Sequence, residues 1–171
     1  MEATPLIRFT LSKAEGYGLS LATTSMGPAS LPRWCVWVEP ATGDSPDRWQ
    51  KRWLSAVGAA LDTWSGHLPV IRVQDPDQAH VRVRRQRPPR RRTASGWRAS
   101  NGRSRLQLVQ VRRQGVWRFE PKVSVLVSPE LRAPVLQATA LHELGHAFGL
   151  WGHSPDPVSY THLRAHETSL H

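Results

Sequence analysis

Cysteine, lysine, methionine and acidic residues are all scarce in this 171-residue chain. Cys35 is the only cysteine, which excludes an internal disulfide framework and any zinc site built on several thiolates. A metal here would have to be held by histidine and carboxylate. No run approaches the roughly 20 consecutive apolar residues that a membrane-spanning helix needs. The opening residues "MEATPLIRFTLSK" lack a basic start, an apolar run and a small-residue cleavage site, so nothing in them directs export. Lysine occurs only at 13, 51 and 122, so the net charge of +10 is an arginine charge. Between Arg82 and Arg118 stand thirteen arginines and no acidic residue. A one-sign field of that density draws polyanions and acidic surfaces, with strong salt dependence.

The length suits one folded domain with a real core. Residues 1–33 read as an N-terminal extension or linker, with "GPASLP" as its most linker-like part. "WCVWVE" at 34–39 alternates as a strand does, and "PATGDSP" closes it with turn chemistry. A helix is expected next, capped by Ser45, with Pro46 in its first position and Asp47 complementing the amino-terminal dipole. Trp49, Trp53, Val57, Ala60, Leu61 and Trp64 recur at helical spacing and form its buried face, in preference to an aromatic ligand platform. "SGHLP" ends it.

Short strand candidates follow at 69–73, 79–84, 105–111 and 123–127. In the second, Ala79, Val81 and Val83 share one face while His80, Arg82 and Arg84 share a wet, basic one. "QRPPRRRTASGWRASNG", between the second and third, reads as a loop. The last helix is expected to start near Pro134, with Val135, Leu136, Leu141, Leu144 and Phe148 for packing.

That helix carries "HELGHAFGLWGH" at 142–153. His142 and His146 are four residues apart, so both imidazoles leave one face of a helix and can share a metal. Glu143 is turned about 100° from His142, too far for an easy third ligand but within reach of a water beside the metal. Zinc needs that division of labour. Three protein ligands leave a position for water, zinc lowers that water's pKa, and a carboxylate carries its proton to the leaving amine. The expected reaction is peptide-bond hydrolysis. Gly145 and Ala147 suit close packing under the site, and Gly149 stands where the helix must stop for the chain to swing back.

These residues resemble the metzincin metallopeptidases, whose pattern is H-E-x-x-H-x-x-G-x-x-H, and within them the matrixin-like branch. His142, Glu143, His146 and Gly149 match; Gly152 stands where the third histidine should be, and His153 comes one residue later. The longer string "ATALHELGHAFGLWGHSPDP" resembles a bacterial, often cyanobacterial, group of matrixin-like peptidases with this longer spacing. "WLSAVGAALDTWSGHLPV" fits the same group, so the resemblance covers residues 34–157. It implies an α+β, zincin-like catalytic domain with a twisted mixed sheet and two main helices, a Zn2+ cofactor and a polypeptide substrate lying along an edge strand that "VSVLV" or its neighbour supplies. It also implies a secreted or extracellular setting; a monomer is expected. Gly152 gives the backbone freedom to aim His153, which is therefore taken as the third metal ligand, with Asp156 as the alternative.

The methionine turn of that family is missing, since neither Met1 nor Met26 can supply it. "VSYTHLRAHET" at 158–168 resembles the translation of a transposase-based sequencing adapter. Residues 158–171 are accordingly expected to be non-native, the carboxy-terminal subdomain to be truncated and the activity of this chain to be low; His162, His166 and His171 leave the argument with the tail. Two other readings compete. One is a zinc-binding remnant without turnover. The other is a basic nucleic-acid-binding module at 82–118 with Trp97 and Trp117 as stacking residues, although Pro, Gly and Ser lie where a recognition element needs order. His67 and His80 are expected to be ordinary surface or loop histidines, and nothing around Cys35 suggests a latency switch.

Overall fold

The computed structural model describes residues 31–150 and, ahead of them, two short strands, β1 (Thr23–Thr24) and β2 (Gly27–Pro28), paired antiparallel. Alternation along "WCVWV" makes β3 (Trp34–Val38), which buries Trp34, Val36 and Val38 and turns Cys35 and Trp37 to the other face. Helix α1 (Arg48–Ser65) follows. After it come β4 (Val70–Arg72), a 3-10 turn at Pro76–Gln78 and β5 (Val81–Arg85). A small hairpin of β6 (Arg91–Thr93) and β7 (Gly96–Arg98) precedes two long strands, β8 (Gly102–Arg113) and β9 (Val116–Val127). Helix α2 (Ala133–Ala147) comes last.

The protein is α+β: five strands form a mixed sheet in the order β4-β3-β5-β9-β8, and the two helices share one core with it. β4, β3, β5 and β9 run parallel, and β8 runs antiparallel to β9 at the edge. The valines at 36, 38, 81, 83, 123, 125 and 127 meet Trp53, Val57, Leu61 and Trp64 of α1 and Leu136, Leu141 and Leu144 of α2. Two indoles lock this arrangement with hydrogen bonds. Trp53 Nε1 donates to the Val127 carbonyl at 3.1 Å, tying α1 to the end of β9, and Trp64 Nε1 donates to the Leu141 carbonyl at 3.0 Å, tying α1 to α2. Among the described residues, no helix is long and apolar enough to cross a membrane.

Several local expectations are corrected. Asp47, not Ser45, caps α1: its carboxylate accepts from the backbone N–H groups of Trp49 and Gln50 at 2.9 and 2.8 Å, so Pro46 lies outside the helix. Trp49 leaves the buried stripe and is 47% exposed, its ring stacked by the guanidinium groups of Arg48 and Arg52. Val135 is likewise exposed, because the core takes Leu136 instead. The stretch expected to be a loop contains the β6–β7 hairpin, closed by Gly96 at φ 108° and by Thr93 Oγ1 donating to the Gly96 carbonyl. "VSVLV" lies inside the sheet, and its neighbour β8 is the edge.

Candidate metal centre

α2 brings the two motif histidines together. His142 and His146 are partly exposed, their rings cross nearly at right angles, and their Nε2 atoms stand 3.0 Å apart. Nitrogen ligands at about 2.0–2.1 Å from a tetrahedral zinc ion lie roughly 3.3 Å from each other, so this pair is spaced as one edge of such a site.

The stop of α2 prepares the second ring. Gly149, at φ 116°, lets its own N–H reach the His146 carbonyl at 3.0 Å and the Leu150 N–H reach the Gly145 carbonyl at 3.0 Å. This is a Schellman turn, in which a residue with a Cβ would be strained. It folds the Leu150 carbonyl onto His146 Nδ1. A carbonyl can only accept, so Nδ1 carries the proton, and in the neutral ring Nε2 keeps the lone pair a metal needs. Gly145 does pack closely: a Cβ there would stand 3.1 Å from the Trp64 ring.

Glu143, the next residue after His142, lies in the seam between α2 and the edge strand, where it is 8% exposed. Ser104 Oγ on β8 is 2.6 Å from Glu143 Oε2, to which it donates, and 3.0 Å from the Glu143 carbonyl. Beside it the β8 backbone lies so close to the side chains of α2 that a Cβ on Gly102 would stand 2.6 Å from Glu143 Cγ and 2.7 Å from Thr139 Cγ2. Gly102→Ala is therefore expected to cost about 1–3 kcal/mol through overpacking and to displace the Glu143 side chain. Urea denaturation checks the first effect, and an unchanged midpoint would refute the close fit.

His153, Gly152 and Asp156 lie outside the described residues. Among the described residues no group of three His, Cys, Asp or Glu side chains gathers as a metal site, so the pair at 142 and 146 is what this region contributes. His67 and His80 stay away from it. His67 sits edge-on to Trp64. His80 is more than a surface histidine: its Nδ1 accepts the Cys35 backbone N–H at 2.9 Å, and burial, then the nearby Lys122 charge, pushes its pKa below the usual histidine range. Beside it, two hydrogen bonds from Arg113 hold the Glu120 carboxyl below its ordinary range. This cluster reads as a structural brace between β3 and β9.

Sequence reasoning missed Ser104, Gly102 and the Leu150 carbonyl. Only Gly149 hinted at the last of these, as a glycine at a helix end; Ser104 and Gly102 sit in an arginine-rich stretch with no local signal. No protein-family model, curated protein or solved structure matches the chain.

Proposed function

We propose that this chain carries the metal centre of a zinc-dependent metalloendopeptidase of the matrixin-like, metzincin kind. The observation that carries the reading is the convergence of His142 and His146 Nε2 to 3.0 Å on the same helix that buries Glu143 against an edge strand. His142 and His146 would hold the ion, with His153 as the proposed third ligand. When bound, zinc supplies Lewis acidity toward water and toward the scissile carbonyl.

The rest falls to the chain's own side chains. Glu143 takes a proton from the attacking water at its carboxylate and passes it to the leaving amine. Ser104 holds that carboxylate by donating to Oε2, so the base is positioned before substrate arrives. The outer edge of β8 offers backbone N–H and C=O groups to an extended polypeptide, which would lie antiparallel or parallel to it beside Glu143. An extended polypeptide segment is therefore the substrate class.

Cleavage of a generic unfolded protein is expected to stop on adding a chelator and to return on adding zinc. Chelator-insensitive cleavage would contradict the proposal. Salt-sensitive retention on DNA without zinc and without any cleavage would favour the nucleic-acid reading of residues 82–118.

A further inference from the structure

The β8–β9 hairpin outruns the sheet that carries it. β9 pairs with β5 only over residues 123–127, so among the described residues the seven register pairs from Gln107↔Lys122 to Arg113↔Val116 have no third strand. At about 3.3 Å per residue this two-stranded arm reaches roughly 20 Å beyond the sheet. Its base is braced: Lys122 Nζ donates to the Ala79 carbonyl at 3.0 Å, and Glu120 faces His80 and Arg113. The turn at its end is Gln114-Gly115, both with positive φ (49° and 81°), the backbone that a tight two-residue hairpin requires.

The arm ends in apolar side chains. Trp117 and Phe119 lie on the strand face that carries Val123, Val125 and Val127 into the core, yet they are 60% and 55% exposed. Val116, on the opposite face, is 54% exposed. Arg112 stands over the Trp117 ring at 6.0 Å, and Arg118 lies between the two aromatics. Glu120 is the only acidic residue of the arm, and Arg113 already neutralises it. An isolated two-stranded ribbon is marginally stable in water, so three large apolar groups at its tip call for a cover.

We propose that this tip docks the protein onto an anionic lipid bilayer, with Val116, Trp117 and Phe119 entering the interface and Arg112 and Arg118 at the level of the headgroups. Apolar groups on both faces, Trp117 and Phe119 on one and Val116 on the other, suit end-on insertion. The span from Val116 to Phe119 is about 10 Å, comparable with the depth to which interfacial segments bury their apolar side chains. Tryptophan flanked by arginine matches the chemistry of that boundary, where the ring meets the acyl region and the guanidinium stays with phosphate. A net charge of +10 disfavours a second copy of the chain as the cover.

Vesicle flotation of the full chain tests this, using phosphatidylcholine alone and phosphatidylcholine mixed with phosphatidylglycerol. The wild-type chain is expected to float with the anionic vesicles and not with the neutral ones. The double variant Trp117→Ser, Phe119→Ser should bind about thirtyfold more weakly, and Arg112→Gln, Arg118→Gln about tenfold more weakly. All of these side chains are exposed, so the variants should keep the wild-type thermal midpoint. Failure to bind anionic vesicles overturns the proposal, as does undiminished binding by the Trp117/Phe119 variant. So does single-stranded oligonucleotide binding, or self-association, that depends on Trp117 and Phe119 while vesicles are ignored.

Discussion

Replacing Glu143 with glutamine is expected to lower peptide hydrolysis by about two to four orders of magnitude relative to the wild-type chain. Glutamine keeps the length of the side chain and an oxygen that can accept the Ser104 hydroxyl, so the seam between α2 and β8 survives. What is lost is the ability to take and return a proton. Zinc content should be unaffected, because the imidazoles that would hold the ion belong to His142 and His146. Measuring kcat/KM together with bound zinc separates the two effects. Turnover close to wild type in Glu143→Gln would remove this carboxylate from the chemistry.

The largest effect on stability is expected from Trp53→Ala, about 3–5 kcal/mol. The indole is fully buried between α1 and the sheet, and its removal also takes the Nε1 hydrogen bond from the Val127 carbonyl. Val127 is the last residue of β9, and α2 follows a few residues later, so loosening this contact loosens the helix that carries both histidines. Urea unfolding should give a lower midpoint with an unchanged slope. A loss below about 1 kcal/mol would mean that the core collapses around the vacancy and that Trp53 does not hold α1 to the sheet.

What could be read from the sequence was whatever depends on neighbours within one or two turns. His142 and His146 meet because four residues make about one helical turn, and that geometry needs no tertiary information. The alternation of Val81 and Val83 with Arg82 and Arg84 announced a one-sided strand, and β5 buries those valines and leaves Arg84 in water. Gly149 was legible as a helix stop for the same reason, although its consequence, a backbone carbonyl set against His146 Nδ1, was not.

What could not be read depends on distant pairing. Ser104 and Glu143 are 39 residues apart, and only the antiparallel edge position of β8 brings them together. Parts of β8 and β9 were legible as strands at 105–111 and 123–127, but the arginines around the Gln-Gly pair hid the turn and the 116–122 half of β9 that makes them one hairpin. Asp47 displaced Ser45 as the cap because an ionised carboxylate both accepts two backbone N–H groups and answers the helix dipole. Trp49 showed the limit of periodicity, since a residue in register with a buried stripe can still lie past the end of the core and stack on arginines.

Metal analysis tests most directly whether His142 and His146 form part of one zinc site. The wild-type chain, loaded with zinc and dialysed, is predicted to retain a single zinc ion, and His142→Ala and His146→Ala are each predicted to lose it while remaining folded. A wild-type chain that retains no zinc, or variants that retain it fully, would contradict the account.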